Sequence, residues 1–112
     1  MKKHIICNVV VEGFHCWPEA FAIYDYLKER HRHMFNIEMH FPVNDSNREI
    51  EFIDQQRLIK EVILNKFGNK LGYAEFGHMS CEHIAEWLLN EFITATYCKV
   101  IEDTNGGAYI VR

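Results

Sequence analysis

The chain has 112 residues, 48% of them hydrophobic, which is enough for one domain over residues 1–112 with a small core. Twelve Lys and Arg against sixteen Asp and Glu leave a net charge of -4 with no basic run, which argues against a nucleic-acid partner. No apolar stretch is long enough to span a bilayer, so no membrane partner is expected.

The N-terminal "MKKHIICNVVV" has basic and apolar pieces like those of a signal peptide. Its apolar run is short, is broken by Cys7 and Asn8, and reaches Glu12 without a small-residue cleavage site. It reads instead as a first strand over residues 3–14, with His15 at its end. Residues 17–30 read as a short helical or compact connection with Pro18 near its start. Residues 31–42 alternate as a second strand. His31, His33, Phe35, Ile37, Met39 and Phe41 share one face, and Arg32, Asn36, Glu38 and His40 the other. Residues 43–48 are turn-like.

Asp54 is the expected N-cap of a helix to about Phe67, with Leu58, Ile59, Val62 and Ile63 on its buried side. Gly68 and Gly72 end it. Ser80 is the expected N-cap of a second helix to about Phe92, burying Ile84, Ala85, Leu88 and Leu89. Residues 96–102 read as a strand, Asn105-Gly106-Gly107 as a turn, and 108–112 as a last strand. Grouped strands around a helix pair predict an α+β fold. The four cysteines, Cys7, Cys16, Cys81 and Cys98, lack CxxC spacing and lie in apolar segments, as reduced thiols of a cytoplasmic protein do.

The chemistry-bearing pattern is His15 with His31 and His33. In a strand, residues two apart project to one face, so the last two imidazoles point together. Three imidazoles with a fourth position open is the usual donor set of a catalytic zinc.

Five segments in order give the chain a family resemblance. "VEGFH", "HRHMFNIEM", "REIEFIDQQRLIK", "SCEHIAEWL" and "CKVIEDTNGGAYIVR" resemble segments of the 6-pyruvoyl-tetrahydropterin synthase and 6-carboxytetrahydropterin synthase group. They match its first-strand histidine, its His-Gly-His strand, the start of its first long helix, its Thr-x-Glu-Asn helix start and its closing Glu-Thr strand. The resemblance covers nearly the whole chain. It implies the tunnelling (T) fold, a four-stranded antiparallel sheet with two helices packed on one face. It also implies a homo-oligomer, a hexamer built from two trimers.

The resemblance further implies that His15, His31 and His33 bind zinc, which holds the hydroxylated side chain of 7,8-dihydroneopterin triphosphate, a small-molecule pterin substrate on a tetrahydropterin or queuosine (deazaguanine) route. Glu102 matches the glutamate that anchors the pterin ring, and Ser80 and Glu82 match the helix-start residues that contact substrate. A carboxylate suits the anchoring role because it can accept two parallel hydrogen bonds. Glu102 also shares a strand face with Cys98 and Val100, which predicts partial burial.

The chain departs from the family in four places, three of them at acid–base residues. Leu27 stands where the family has its proton-abstracting cysteine. Lys28 stands where a variant group has a glutamate, with Glu29 one place later, and Arg32 replaces the glycine between the two metal histidines. The family's Asp-His-x-x-Leu-Asn segment has no counterpart in "ILNKFGNKLGYAEFGHMS", where His78 is the one histidine. Glu29 and His78 are therefore the candidate catalytic bases. Cys16 stands behind them, because strand alternation turns it away from His15. Two functions follow: a zinc-dependent lyase or synthase, or a protein of the same fold that binds a pterin- or purine-like ligand without turnover.

Overall fold

Alternating apolar side chains build two long antiparallel strands, β1 (Lys3–His15) and β2 (His31–Val43). They pair without a break from Lys3 opposite Val43 to His15 opposite His31. The computed structural model describes all 112 residues. The connection between these strands is compact, with a 3-10 turn over Ala22–Leu27. Then come α1 (Phe52–Phe67), β3 (Ala74–Gly77), α2 (Cys81–Glu91), β4 (Tyr97–Glu102) and β5 (Gly106–Val111).

The fold class is α+β, but the sheet is not the expected four-stranded antiparallel one. It has five strands in the order β3-β1-β2-β4-β5, and β3 runs parallel to β1. The added strand is only four residues long, too short for its alternation to register in the sequence. It is recruited because the free edge of β1 would otherwise leave backbone groups unpaired. Ala74 and Phe76 enter the core as it docks. Gly13 permits the approach, since a Cβ there would lie 2.8 Å from the Ala74 carbonyl oxygen.

Both α-helices cover the same sheet face. α1 packs on β1 and β3, and α2 on β4 and β5. Val9 and Val11 of β1, Phe35, Ile37, Met39 and Phe41 of β2, and Cys98 and Val100 of β4 meet the helices in one buried cluster. α1 begins earlier than expected. Its N-cap is Glu51, whose carboxylate accepts from the Ile53 N–H at 3.2 Å, and Asp54 lies in the first turn, where it favours the helix dipole. Its buried stripe is narrower than expected. Ile59 and Ile63 are fully buried one turn apart, whereas Leu58 is 45% exposed.

Ser80 does cap α2, accepting from the His83 N–H at 3.1 Å while His83 Nδ1 accepts from the Ser80 N–H at 3.2 Å. The last turn sits earlier than the expected Asn105-Gly106-Gly107. It spans residues 103–105, with Asp103 in the left-handed region at φ 56°. Gly106 and Gly107 belong to β5, and Gly107 lies so close to the Val100 carbonyl that no Cβ would fit. No helix is long and apolar enough to cross a membrane.

Candidate metal centre

The register of the long hairpin assembles the histidines. His15 ends β1 directly opposite His31, and His33 lies one inward-facing step along β2, opposite Gly13. All three rings are on the helix-covered face, and one nitrogen from each lies within 4.8 Å of the others. The ring of Phe35 forms the floor, its centroid 5.2 Å from that of His15 and 5.7 Å from that of His33.

Each ring is held from behind by an oxygen that can only accept. His15 Nδ1–H donates to the Met79 carbonyl at 2.9 Å. His31 Nδ1–H donates to the Glu29 carbonyl at 2.9 Å. His33 Nδ1–H donates to Asp103 Oδ2 at 2.8 Å. These partners fix a proton on Nδ1 and, in the neutral ring, leave the lone pair on Nε2, the arrangement of metal-ligating histidines. His33 Nε2 is buried and has no hydrogen-bond partner, although Glu102 Oε2 lies 3.3 Å away. Glu102 Oε1 lies 3.0 Å from His15 Nε2. A carboxylate facing these Nε2 atoms calls for a cation among them, either a proton on the His15 ring or a metal ion. The donor set therefore fits a metal ion, which would draw the nitrogens together to zinc–nitrogen bonds of about 2.0–2.1 Å.

The electrostatics agree. The hydrogen bond from His15 holds the Glu102 carboxyl below the usual glutamate range, against the opposing effect of burial. Burial disfavours charge on His15, but its bonds to Glu102 and Met79 outweigh this and raise its pKa above the ordinary value. The backbone N–H of Met34 and the His33 ring hold Asp103 ionised below its usual range. The Cys81 thiol, which donates to Glu102 Oε1 at 3.6 Å, is pushed up to about 12 by burial and by that carboxylate, so it is no thiolate at neutral pH.

A cavity of about 460 Å³ opens beside the centre. His15, His31, Glu102, His78, Ser80 and Glu82 line it, as do Cys16, Trp17, Leu27, Cys81 and His83. His33 lies behind this wall. Glu29 does not reach the cavity. Its side chain is exposed, and its contribution is the carbonyl that orients His31. Cys16, expected to turn away, lines the cavity because β1 ends at His15 and strand alternation ends with it. Sequence reasoning missed the three oxygen anchors. Backbone carbonyls carry no residue signature, and Asp103 signalled itself only by following Glu102 at a turn.

No protein-family model matches the chain, and no curated protein matches it. Three imidazoles, a carboxylate and an open cavity can hold a divalent cation and present a small polar molecule to it.

Proposed function

We propose that this protein is a zinc-dependent lyase or synthase of the 6-pyruvoyl-tetrahydropterin synthase type, with the tunnelling fold, working on the hydroxylated side chain of a dihydropterin. The observation that carries the reading is the convergence of three back-anchored imidazoles beside a cavity whose wall includes His15, His31 and Glu102. His15, His31 and His33 would hold the metal. Bound zinc supplies Lewis acidity that lowers the pKa of substrate hydroxyls and of the adjacent C–H bonds.

The chain's own groups do the rest. Glu102, kept ionised, accepts hydrogen bonds from a ring N–H and an exocyclic amine. The cavity's 460 Å³ suits a ligand of pterin size. His78 lines the cavity and is the candidate proton carrier, ahead of the outward-facing Glu29. Ser80 and Glu82 border the same space from the start of α2. As the resemblance implies, the protein would act in the cytoplasm as a homohexamer.

One observation favours a second reading, a pterin- or purine-binding protein without turnover. Leu27, which has no titratable group, lines the cavity where the family has its thiol. Metal analysis of untagged protein, followed by turnover assays on dihydropterins, separates the readings. The enzyme reading expects one zinc per chain and turnover that falls roughly 10²–10⁴-fold in His78→Gln with zinc content unchanged. Binding without turnover selects the second reading. Zinc retained equally by the His31→Ala, His33→Ala double variant removes the metal assignment.

A further inference from the structure

The resemblance implies a triphosphate substrate, and the cavity is poorly built for one. None of its 14 lining residues is Lys or Arg, whereas two, Glu82 and Glu102, are carboxylates. The basic residues nearest in the chain are all committed elsewhere. Lys28 Nζ pairs with Asp25 at 2.8 Å. Arg30 grips Glu75 with bonds of 2.9 and 2.6 Å and lies over the Phe14 ring. Arg32 pairs with Glu12 and, by strand alternation, points away from His31 and His33.

The N-terminus of α2 borders the cavity, yet it does not supply the missing charge. Two of its N–H groups, those of Ser80 and His83, are consumed by the capping box, and Glu82 offsets its dipole. A triphosphate carries several negative charges and is ordinarily met by Arg, Lys or free backbone N–H groups. Here it would meet two carboxylates and imidazoles, with no guanidinium or ammonium group in the wall.

The remaining features suit an uncharged ligand. Trp17 gives the wall an aromatic surface. Glu102 offers acceptors for ring N–H and amine donors. The three Nε2 atoms would place a metal against neutral hydroxyls. We infer that the site takes an unphosphorylated, amine-bearing planar heterocycle with a vicinal-diol side chain, such as 7,8-dihydroneopterin itself, rather than its triphosphate. This rests on the metal-dependent reading above and narrows its substrate class.

Calorimetric titration of the zinc-loaded full-length protein tests it. The probes are 7,8-dihydroneopterin, its triphosphate and inorganic triphosphate, at low and at physiological salt. The unphosphorylated form should bind roughly tenfold or more tightly than the triphosphate, with little salt dependence. Inorganic triphosphate should not compete. Glu82→Lys should raise the affinity for the triphosphate relative to that for dihydroneopterin. Tighter, salt-sensitive binding of the triphosphate, or competition by inorganic triphosphate, would overturn the inference while leaving the pterin reading intact. No binding of either pterin would overturn both.

Discussion

Asp103 shows how much of the centre depends on a residue that carries no ligand. Its carboxylate takes the His33 Nδ1 proton on one oxygen and the Met34 N–H on the other. Asp103→Asn keeps a side chain that tolerates φ 56° but can turn an amide donor towards Nδ1. That reverses the tautomer and puts the proton on Nε2, where the metal needs a lone pair. Zinc affinity should fall about 10–100-fold, with an unchanged circular dichroism spectrum. An unaltered affinity by competition with a chromophoric chelator would show that the anchor is dispensable.

Protons compete for the same lone pairs. The His15 pKa is raised, so acid favours the protonated ring facing Glu102, and metal uptake requires that proton to leave. Zinc should bind more weakly at pH 5.5 than at 7.5. A pH-independent affinity would mean that His15 is not a ligand. The thiols give a separate check on burial. Cys7 is pushed up to about 11, and Cys81 and Cys98 to about 12, all by burial first. Cys16 is only partly buried, so a thiol reagent at neutral pH should label it first.

Among the elements, the β1–β2 hairpin and the short β3 carry the geometry. Gly13 is where β1 tolerates β3, so Gly13→Ala forces a Cβ against backbone that cannot yield cheaply. The expected cost is about 1–3 kcal/mol, read as a lower denaturation midpoint. An unchanged midpoint would mean that β3 is loosely docked. The far end of α2 has its own clamp. Arg112 donates to the carbonyls of Ala95 at 2.8 Å and Phe92 at 3.2 Å, and also to that of Leu89, satisfying acceptors at and just beyond the helix's C-terminus.

These elements differ in how openly the sequence declared them. Ser80 announced α2 because a serine hydroxyl before an amphipathic run satisfies a local need. β1 and β2 announced themselves through alternation over 13 residues each. β3 did not, because four residues with two inward side chains have no statistical weight until a neighbouring edge selects them. The start of α1 moved from Asp54 to Glu51 because either carboxylate can cap, and a capping residue alone does not fix which turn begins the helix.

For the whole molecule, the sheet face opposite the helices leaves Ile6, Val10, Tyr109 and Val111 exposed, and β3 and β5 are its open edges. Such edges call for a partner, which agrees with the proposed oligomer. Light scattering at micromolar concentration should give a multiple of the chain mass, and a monomer would reject the assembly. Zinc that binds only the folded state should also raise the melting temperature in a concentration-dependent way.

Local patterns were enough to mark the α+β class, the face of β2 that turns inward and three histidines with metal-ligand character, because periodicity and capping act over a few residues. Contact between His15 and His31 depends on strand register. Which ring nitrogen faces the centre depends on oxygens from residues 29, 79 and 103. Glu29's outward position and the absence of a free cation at the cavity depend on which side chains find partners across the sheet. Those facts arise between segments far apart in the chain, so only the folded arrangement of strands and turns could decide them.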